Sequence, residues 1–190
     1  MEGNYEEKSD EAIVKLVQLG DSDLFGLLIE RYEKKITRYS KKFLSDPEDL
    51  KDIVQQIFLK SYVNIKSFDT GRKFSSWIYR IAHNELINVL KKKNRAVLPL
   101  FNLDVFLPHW ISEKNDINKD LENKETRILI EKSLDKLSAK YKEPMILYYI
   151  EDMGYKEVAD IMQLPIATVG TRIKRAKKIL KSILEEHGIT

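Results

Sequence analysis

The stretch Tyr155 to Leu180, YKEVADIMQLPIATVGTRIKRAKKIL, determines how the rest of the chain is read. A short amphipathic helix, a turn ending in Leu164-Pro165 and a second, basic helix follow without a gap, which is the pattern of a helix-turn-helix. Val158, Ala159, Met162, Leu164 and Val169 fall where they can pack between the two helices, and the small side chain of Ala159 permits close approach. Thr168, Thr171, Lys174, Arg175 and Lys178 are then left on the outside, and every charge from Arg172 to Lys181 is positive. A helix of this kind fits the major groove of duplex DNA, with its N-terminal residues against base edges and its cations against phosphates. A basic face alone can be no more than a solvated surface. The turn attached to it favours the nucleic-acid reading.

Helical periodicity continues outward from this motif. Upstream of it, helices are expected at about Leu121 to Leu137 and Ser138 to Glu151, followed by Tyr155 to Met162 and Ile166 to Glu185. In the first half a short helix spans Asp10 to Leu19 and breaks at Gly20, and a long one runs from about Ser22 to Leu44 with Asp21 or Ser22 as its cap. The next helix has a strong start: Asp46 accepts from free amides, Pro47 suits the first turn, and Glu48 and Asp49 complement the helix dipole. It runs to about Val63, and a loop, IKSFDTGRK, follows. A fourth helix, Phe74 to Lys92, places Phe74, Trp77, Ile78, Ile81, Ala82, Leu86 and Val89 along one buried stripe. Few segments alternate with period two, and seven glycines leave little material for hairpins, so the fold class is all-α.

Residues 95 to 121 contain Pro99 and Pro108 and lack a clean period. They read as a flexible, partly apolar linker between two small helical domains, 10 to 94 and 122 to 186, with residues 1 to 9 as an N-terminal tail. The linker segment AVLPLFNLDVFLPHWI is too apolar for a freely solvated spacer, so it is expected to lie on a surface of this protein or of a partner.

The 190 residues, 43% of them hydrophobic, suffice for two small cores. The 33 Lys and Arg nearly balance 30 Asp and Glu, so affinity for nucleic acid must come from where charge sits. Without cysteine the chain has no disulfide scaffold, thiolate metal site or cysteine nucleophile. The acidic start MEGNYEEKSDE is unlike a signal peptide, and no stretch approaches the roughly 18 apolar residues of a membrane span. Cytoplasm is the expected location.

Little in the sequence points to catalysis. His83, His109 and His187 are scattered, there is no glycine-rich phosphate loop, and no cofactor or metal is expected. Glu48, Asp49 and Asp52 form an acidic cluster that could bind magnesium, but at a helix start carboxylates more often serve the dipole.

Two blocks outside the helix-turn-helix carry a family resemblance. DPEDLKDIVQQIFLKSYVNI (46 to 65), followed by FSSWIYRIAHNELINVLKKKNR (74 to 95), resembles the first conserved domain, region 2, of the extracytoplasmic-function sigma factors in the sigma-70 family. LSAKYKEPMILYYIEDMGYKEVADIMQLP through TVGTRIKRA is similar to the family's final domain, region 4. The resemblance covers about residues 10 to 95 and 122 to 184.

It implies a non-enzymatic transcription initiation factor that binds core RNA polymerase and promoter DNA and takes no small-molecule substrate. By the same resemblance, Asp52, Ile53, Val54, Gln55, Gln56 and Phe58 lie on the helix that grips the clamp coiled coil of the polymerase largest subunit. Spacing alone also permits plain core packing for Ile53, Ile57 and Phe58, and makes Gln55 and Gln56 the more interfacial pair. The resemblance further assigns the melted minus-ten strand to the loop from Phe68 through Asp69 to Lys73 and to Arg80, Asn84 and Asn88. A flipped base would sit at the loop, and Lys91, Lys92, Lys93 and Arg95 supply cations. Trp77 reads as core and Tyr79 as undecided. Minus-thirty-five contacts fall on Thr168, Thr171, Arg172, Lys174, Arg175 and Lys178. A separate anti-sigma protein, often membrane-bound, is implied as a further partner that could hold the chain at the inner face of the membrane.

The chain departs from the family at four positions. A glutamate is usual where Gln56 stands, glycine is common where Gln163 and Ala167 stand, and a basic or polar residue is common where Gly170 stands. Two rival readings stay open at this level. One is an ordinary helix-turn-helix regulator acting on duplex operators without polymerase. The other is a nuclease using Glu48, Asp49 and Asp52.

Overall fold

The computed structural model describes residues 5 to 93, residue 6 excepted, and 133 to 186. The linker expectation and most of the helix expected at Leu121 to Leu137 lie outside the described residues. The chain divides into two compact units, the first built on the N-terminal helices and the second on the C-terminal ones. Every regular element among the described residues is helical, so the all-α reading holds.

In the first unit, α1 (Asp10–Leu19) starts where the Ser9 hydroxyl accepts the Ala12 amide at 3.2 Å and ends at Gly20, whose φ of +123° is reserved for glycine. The next helix differs from expectation. Ser22–Leu24 forms a single 3-10 turn, and α2 (Phe25–Lys41) follows with no side-chain cap from Asp21 or Ser22. Backbone bonding replaces the cap, since the Leu24 amide donates to the Asp21 carbonyl at 3.2 Å.

Helix α3 (Pro47–Asn64) begins as its sequence dictates: Asp46 Oδ1 accepts from the Glu48 and Asp49 amides at 2.8 and 3.3 Å. A 3-10 turn, Ile65–Ser67, and a short loop lead into α4 (Phe74–Lys93). Helix α2 packs on α3, and α3 on α4. Ile36, Ile57 and Ile78, one from each of these helices, are fully buried, and burial of a side chain this size contributes about 1.5–3 kcal/mol. An aromatic cluster completes the core: Tyr39 meets Tyr79 edge-on at 5.2 Å between ring centres, and Phe74 meets Tyr32 at 5.4 Å and Phe68 at 5.8 Å. On α4 the expected stripe is buried at Phe74, Ile78, Ala82 and Leu86, and Trp77, Ile81 and Val89 form its half-buried margin. Tyr79 is an interior residue.

In the second unit, α5 (Ala139–Met145) is followed by a π-helical turn, Ile146–Ile150, where one continuous helix was expected. Pro144 lies inside α5 and has no N–H to return to the preceding turn; the wider bonding follows it, with the Glu151 amide donating to the Ile146 carbonyl at 3.0 Å. Helix α6 (Tyr155–Met162) and helix α7 (Ile166–Glu186) fall where the motif places them. The turn between them needs a left-handed residue, and Gln163 supplies it with φ +55° and ψ +46°. α5 packs against α7, and Val158, Ala159, Ile161, Met162, Val169, Ile173 and Ala176 are all buried.

Candidate nucleic-acid and partner interfaces

Helix α3 turns two different sides to its surroundings. Ile53, Val54, Ile57, Phe58 and Ser61 are buried, so Ile53 and Phe58 pack in the core, as their spacing also permits. The opposite side carries Asp52, Gln55 and Gln56, all exposed, and continues into three apolar residues that the sequence reading missed. Leu59 is 57% exposed, Val63 68% and Tyr62 43%, although the Tyr62 ring also meets Phe25 edge-on at 5.1 Å. Spacing of three and four residues puts Asp52, Gln55, Gln56, Leu59 and Val63 on one face. An apolar strip rimmed by amides and a carboxylate is the make-up of a protein-docking surface. Among the described residues, Glu48, Asp49 and Asp52 join no group of three or more acidic or histidine side chains able to hold a metal ion.

The loop after α3 is partly a core element. Phe68 is buried, with its ring 5.0 Å from Trp77 and 5.8 Å from Phe74, and so anchors the start of the loop in the core. Beyond it the chain surfaces. Asp69 Oδ1 accepts the Gly71 amide at 2.9 Å, and Arg72 Nε lies 3.8 Å from the same carboxylate in a solvent-exposed pair. Asp69, Gly71, Arg72 and Lys73 are exposed. On α4, Arg80, Asn84, Asn88 and Lys91 recur at spacings of four and three and are all exposed, so they share one side continuous in sequence with the loop; Lys92 is exposed beside them. Lys60 on α3 pairs with Glu85 on α4 at 2.6 Å, which ties these two helices together.

In the helix-turn-helix, the outer side of α7 carries Lys174, Arg175 and Lys178, exposed, with Thr168 and Thr171 half-buried near its start. Thr171 Oγ1 donates back to the Ala167 carbonyl at 2.9 Å, so its hydroxyl proton is engaged within the helix. Arg172 is different: only 3% exposed, it lies on the same inward stripe as Val169, Ile173 and Ala176. It stands three residues from Val169 and one from Ile173, and the 100° advance per residue turns it inward.

Tyr155, at the start of α6, meets Tyr148 at 4.7 Å, and Lys177 lies 5.8 Å over the Tyr149 ring. Burial, and then its tyrosine neighbours, push the Tyr155 hydroxyl above its ordinary range, so it is a neutral donor at any physiological pH. Gly170 lies under this cluster: a Cβ there would meet only Tyr155 Cε1, at an ordinary 4.0 Å. Gly170→Ala therefore has room, and it should stabilise α7 by about 0.5–1 kcal/mol through its helix preference. Slower amide exchange across Ile166–Glu186 in the variant is the measurement; faster exchange would mean that the glycine is required there.

Residues 28–96 match the family model Sigma-70 region 2, and residues 127–180 match Sigma-70, region 4. The chain is 32% identical over 187 residues to the ECF RNA polymerase sigma factor SigW of Bacillus subtilis (strain 168), covering 91% of this chain and 95% of that protein. It is 30% identical over 182 residues to the ECF RNA polymerase sigma-E factor of Escherichia coli (strain K12), covering 92% and 94%. Its fold is similar to that of CnrH, solved in complex with the cytosolic domain of CnrY, with a TM-score of 0.69 at 21% identity over 94% of this chain and 99% of that one. It is also similar in fold to the sigma factor RpoE of Bartonella quintana, solved with the anti-sigma factor NepR, with a TM-score of 0.63 at 23% identity over 85% and 96%.

Proposed function

We propose, starting from the fact that this chain belongs to the extracytoplasmic-function branch of the sigma-70 family of RNA polymerase sigma factors, that it joins core polymerase and directs it to a specific class of promoters. The face of α3 formed by Asp52, Gln55, Gln56, Leu59, Tyr62 and Val63 docks on the clamp coiled coil of the largest subunit. Helix α7 enters the major groove at the minus-thirty-five element, with Thr168 and Thr171 toward base edges and Lys174, Arg175 and Lys178 toward bases and phosphates. The loop from Asp69 to Lys73 and the Arg80, Asn84, Asn88 and Lys91 side of α4 hold the melted minus-ten strand.

The observation that carries this reading is the docking face on α3. A regulator that reads duplex operators could use such a strip only to dimerise, and the matches to both sigma-70 regions favour polymerase as the occupant. A polymerase subunit needs such a strip. The chain itself then performs no chemistry: it binds, and polymerase makes the transcript. Its expected place is the cytoplasm, where polymerase works; among the described residues no helix is long and apolar enough to cross a membrane. An anti-sigma protein that covers these surfaces is its expected regulator; the sigma factor RpoE of Bartonella quintana was solved in complex with one, NepR.

In vitro transcription from a promoter library, with core polymerase and with or without this chain, tests the proposal. Start sites that require the chain and share two upstream motifs at fixed spacing are the expected result. Duplex binding with no chain-dependent transcripts would make it a regulator instead.

A further inference from the structure

We infer that α1 is a positioning element for the strand-capturing loop, acting through Gln18 and Glu11; this rests on the assignment of residues 69 to 73 to the melted minus-ten strand made above. Gln18 Nε2 donates to two carbonyl oxygens at once, Ile65 at 2.7 Å and Phe68 at 2.8 Å. Glu11 Oε1 accepts from the Phe74 amide at 2.9 Å. Two helical turns separate the two side chains, so they leave α1 on the same side. One holds the start of the loop, and the other holds its end.

Between these anchors lie Asp69, Thr70, Gly71, Arg72 and Lys73. Their shape is set locally: the Asp69 carboxylate accepts the Gly71 amide at 2.9 Å, and the Arg72 amide reaches the Asp69 carbonyl at 3.0 Å. A Cβ on Gly71 would come within 3.1 Å of Asp69 Oδ1, so a larger residue there would press on the carboxylate that makes this turn. The loop is a small turn hung from two points, both of them on α1.

Capturing an unstacked base from a melting duplex rewards groups already in place, because ordering a loop at the moment of binding subtracts from the affinity. The Gln18 amide removes that cost at one end. At the other, the Glu11 carboxylate accepts one of the free first-turn amides of α4, the helix that carries Arg80, Asn84 and Asn88. The same helix therefore sets both the loop and the start of the adjoining strand-binding side.

The test uses holoenzyme assembled from core polymerase and the full chain carrying Gln18→Met, Glu11→Ala or Glu11→Gln. Methionine nearly keeps the volume of glutamine and removes both donors; glutamine keeps an acceptor oxygen at position 11. Open-complex formation, base preference at each minus-ten position, affinity for core and minus-thirty-five preference are compared with the unsubstituted chain. Gln18→Met and Glu11→Ala should each lower open-complex formation about fivefold to tenfold, the scale of one or two hydrogen bonds, and flatten minus-ten base preference. Core affinity and minus-thirty-five preference should not change, and Glu11→Gln should restore function.

Unaltered minus-ten preference, or a loss spread evenly over core affinity and both elements, would overturn the inference, since that is what general destabilisation does. Should Gln18→Met fail to fold, the Glu11→Ala and Glu11→Gln pair decides by itself, because only a positioning role predicts rescue of base preference by the amide. If the unsubstituted holoenzyme shows no minus-ten preference, the assignment of the loop fails, and this inference with it. If that preference is present and survives all three substitutions, the inference alone fails.

Discussion

Leu59→Asp should lower the affinity of the chain for core polymerase about a hundredfold or more, the scale of a central interface residue replaced by a buried charge. Leu59 is 57% exposed and lies between Gln55 and Val63 on the outer side of α3. In the free chain an aspartate there is solvated and changes stability little, within about 0.5 kcal/mol plus the modest helix preference lost. In the complex the same carboxylate would lose its water without a partner provided for it. The effect therefore falls on association and spares folding. Tyr62 is a poorer probe, because its ring also packs on Phe25 at 5.1 Å and its loss would disturb the first unit. Titration of labelled core polymerase, alongside a thermal melt of the variant, measures both quantities. Unchanged core affinity in a folded Leu59→Asp chain would remove the outer side of α3 from the interface.

What could be read from sequence follows the range of the interactions. The start of α3 was legible because Asp46, Pro47, Glu48 and Asp49 act within one turn. The end of α1 was legible because only glycine tolerates φ +123° cheaply. The need for a left-handed residue at Gln163 was also visible, as a family position that often holds glycine. By contrast, Pro144 sits inside a segment whose apolar period reads as one helix, and the period carries no sign of the π-helical turn after it.

The site was legible in outline and less so in its residues. Apolar residues occur on nearly every side of α3, and which of them is buried depends on where α2 and α4 lie. Leu59 and Val63, which no local pattern singles out, are the exposed ones. Phe68 and Arg172 show the opposite: each borders a run of exposed polar residues, yet each turns inward. The bonds from Gln18 to Ile65 and Phe68, and from Glu11 to Phe74, span 47, 50 and 63 residues, and no local pattern announces them.

Lys174→Ala, Arg175→Ala and Lys178→Ala combined should weaken holoenzyme binding to a duplex minus-thirty-five element by about a hundredfold. The magnitude follows from taking three cations out of a salt-dependent interface. All three side chains are exposed on the outer side of α7, and none contributes to the buried stripe of Val169, Ile173 and Ala176. Their removal should leave α7 folded. The salt dependence discriminates between roles, because every phosphate that a cation neutralises adds about 0.9 to the slope of log affinity against log salt. A fall in that slope of about 2.7 would place all three on phosphates. A smaller fall accompanied by relaxed base preference would place at least one, Arg175 the first candidate, on a base edge. Arg172→Ala supplies the contrast. At 3% exposure its side chain supports the interior of the second unit, so its loss should accelerate amide exchange through α7 and weaken DNA binding only in proportion to that unfolding. Triple-variant binding and salt slope that match the unsubstituted chain would mean that the basic side of α7 is solvated surface and the second unit reads DNA elsewhere.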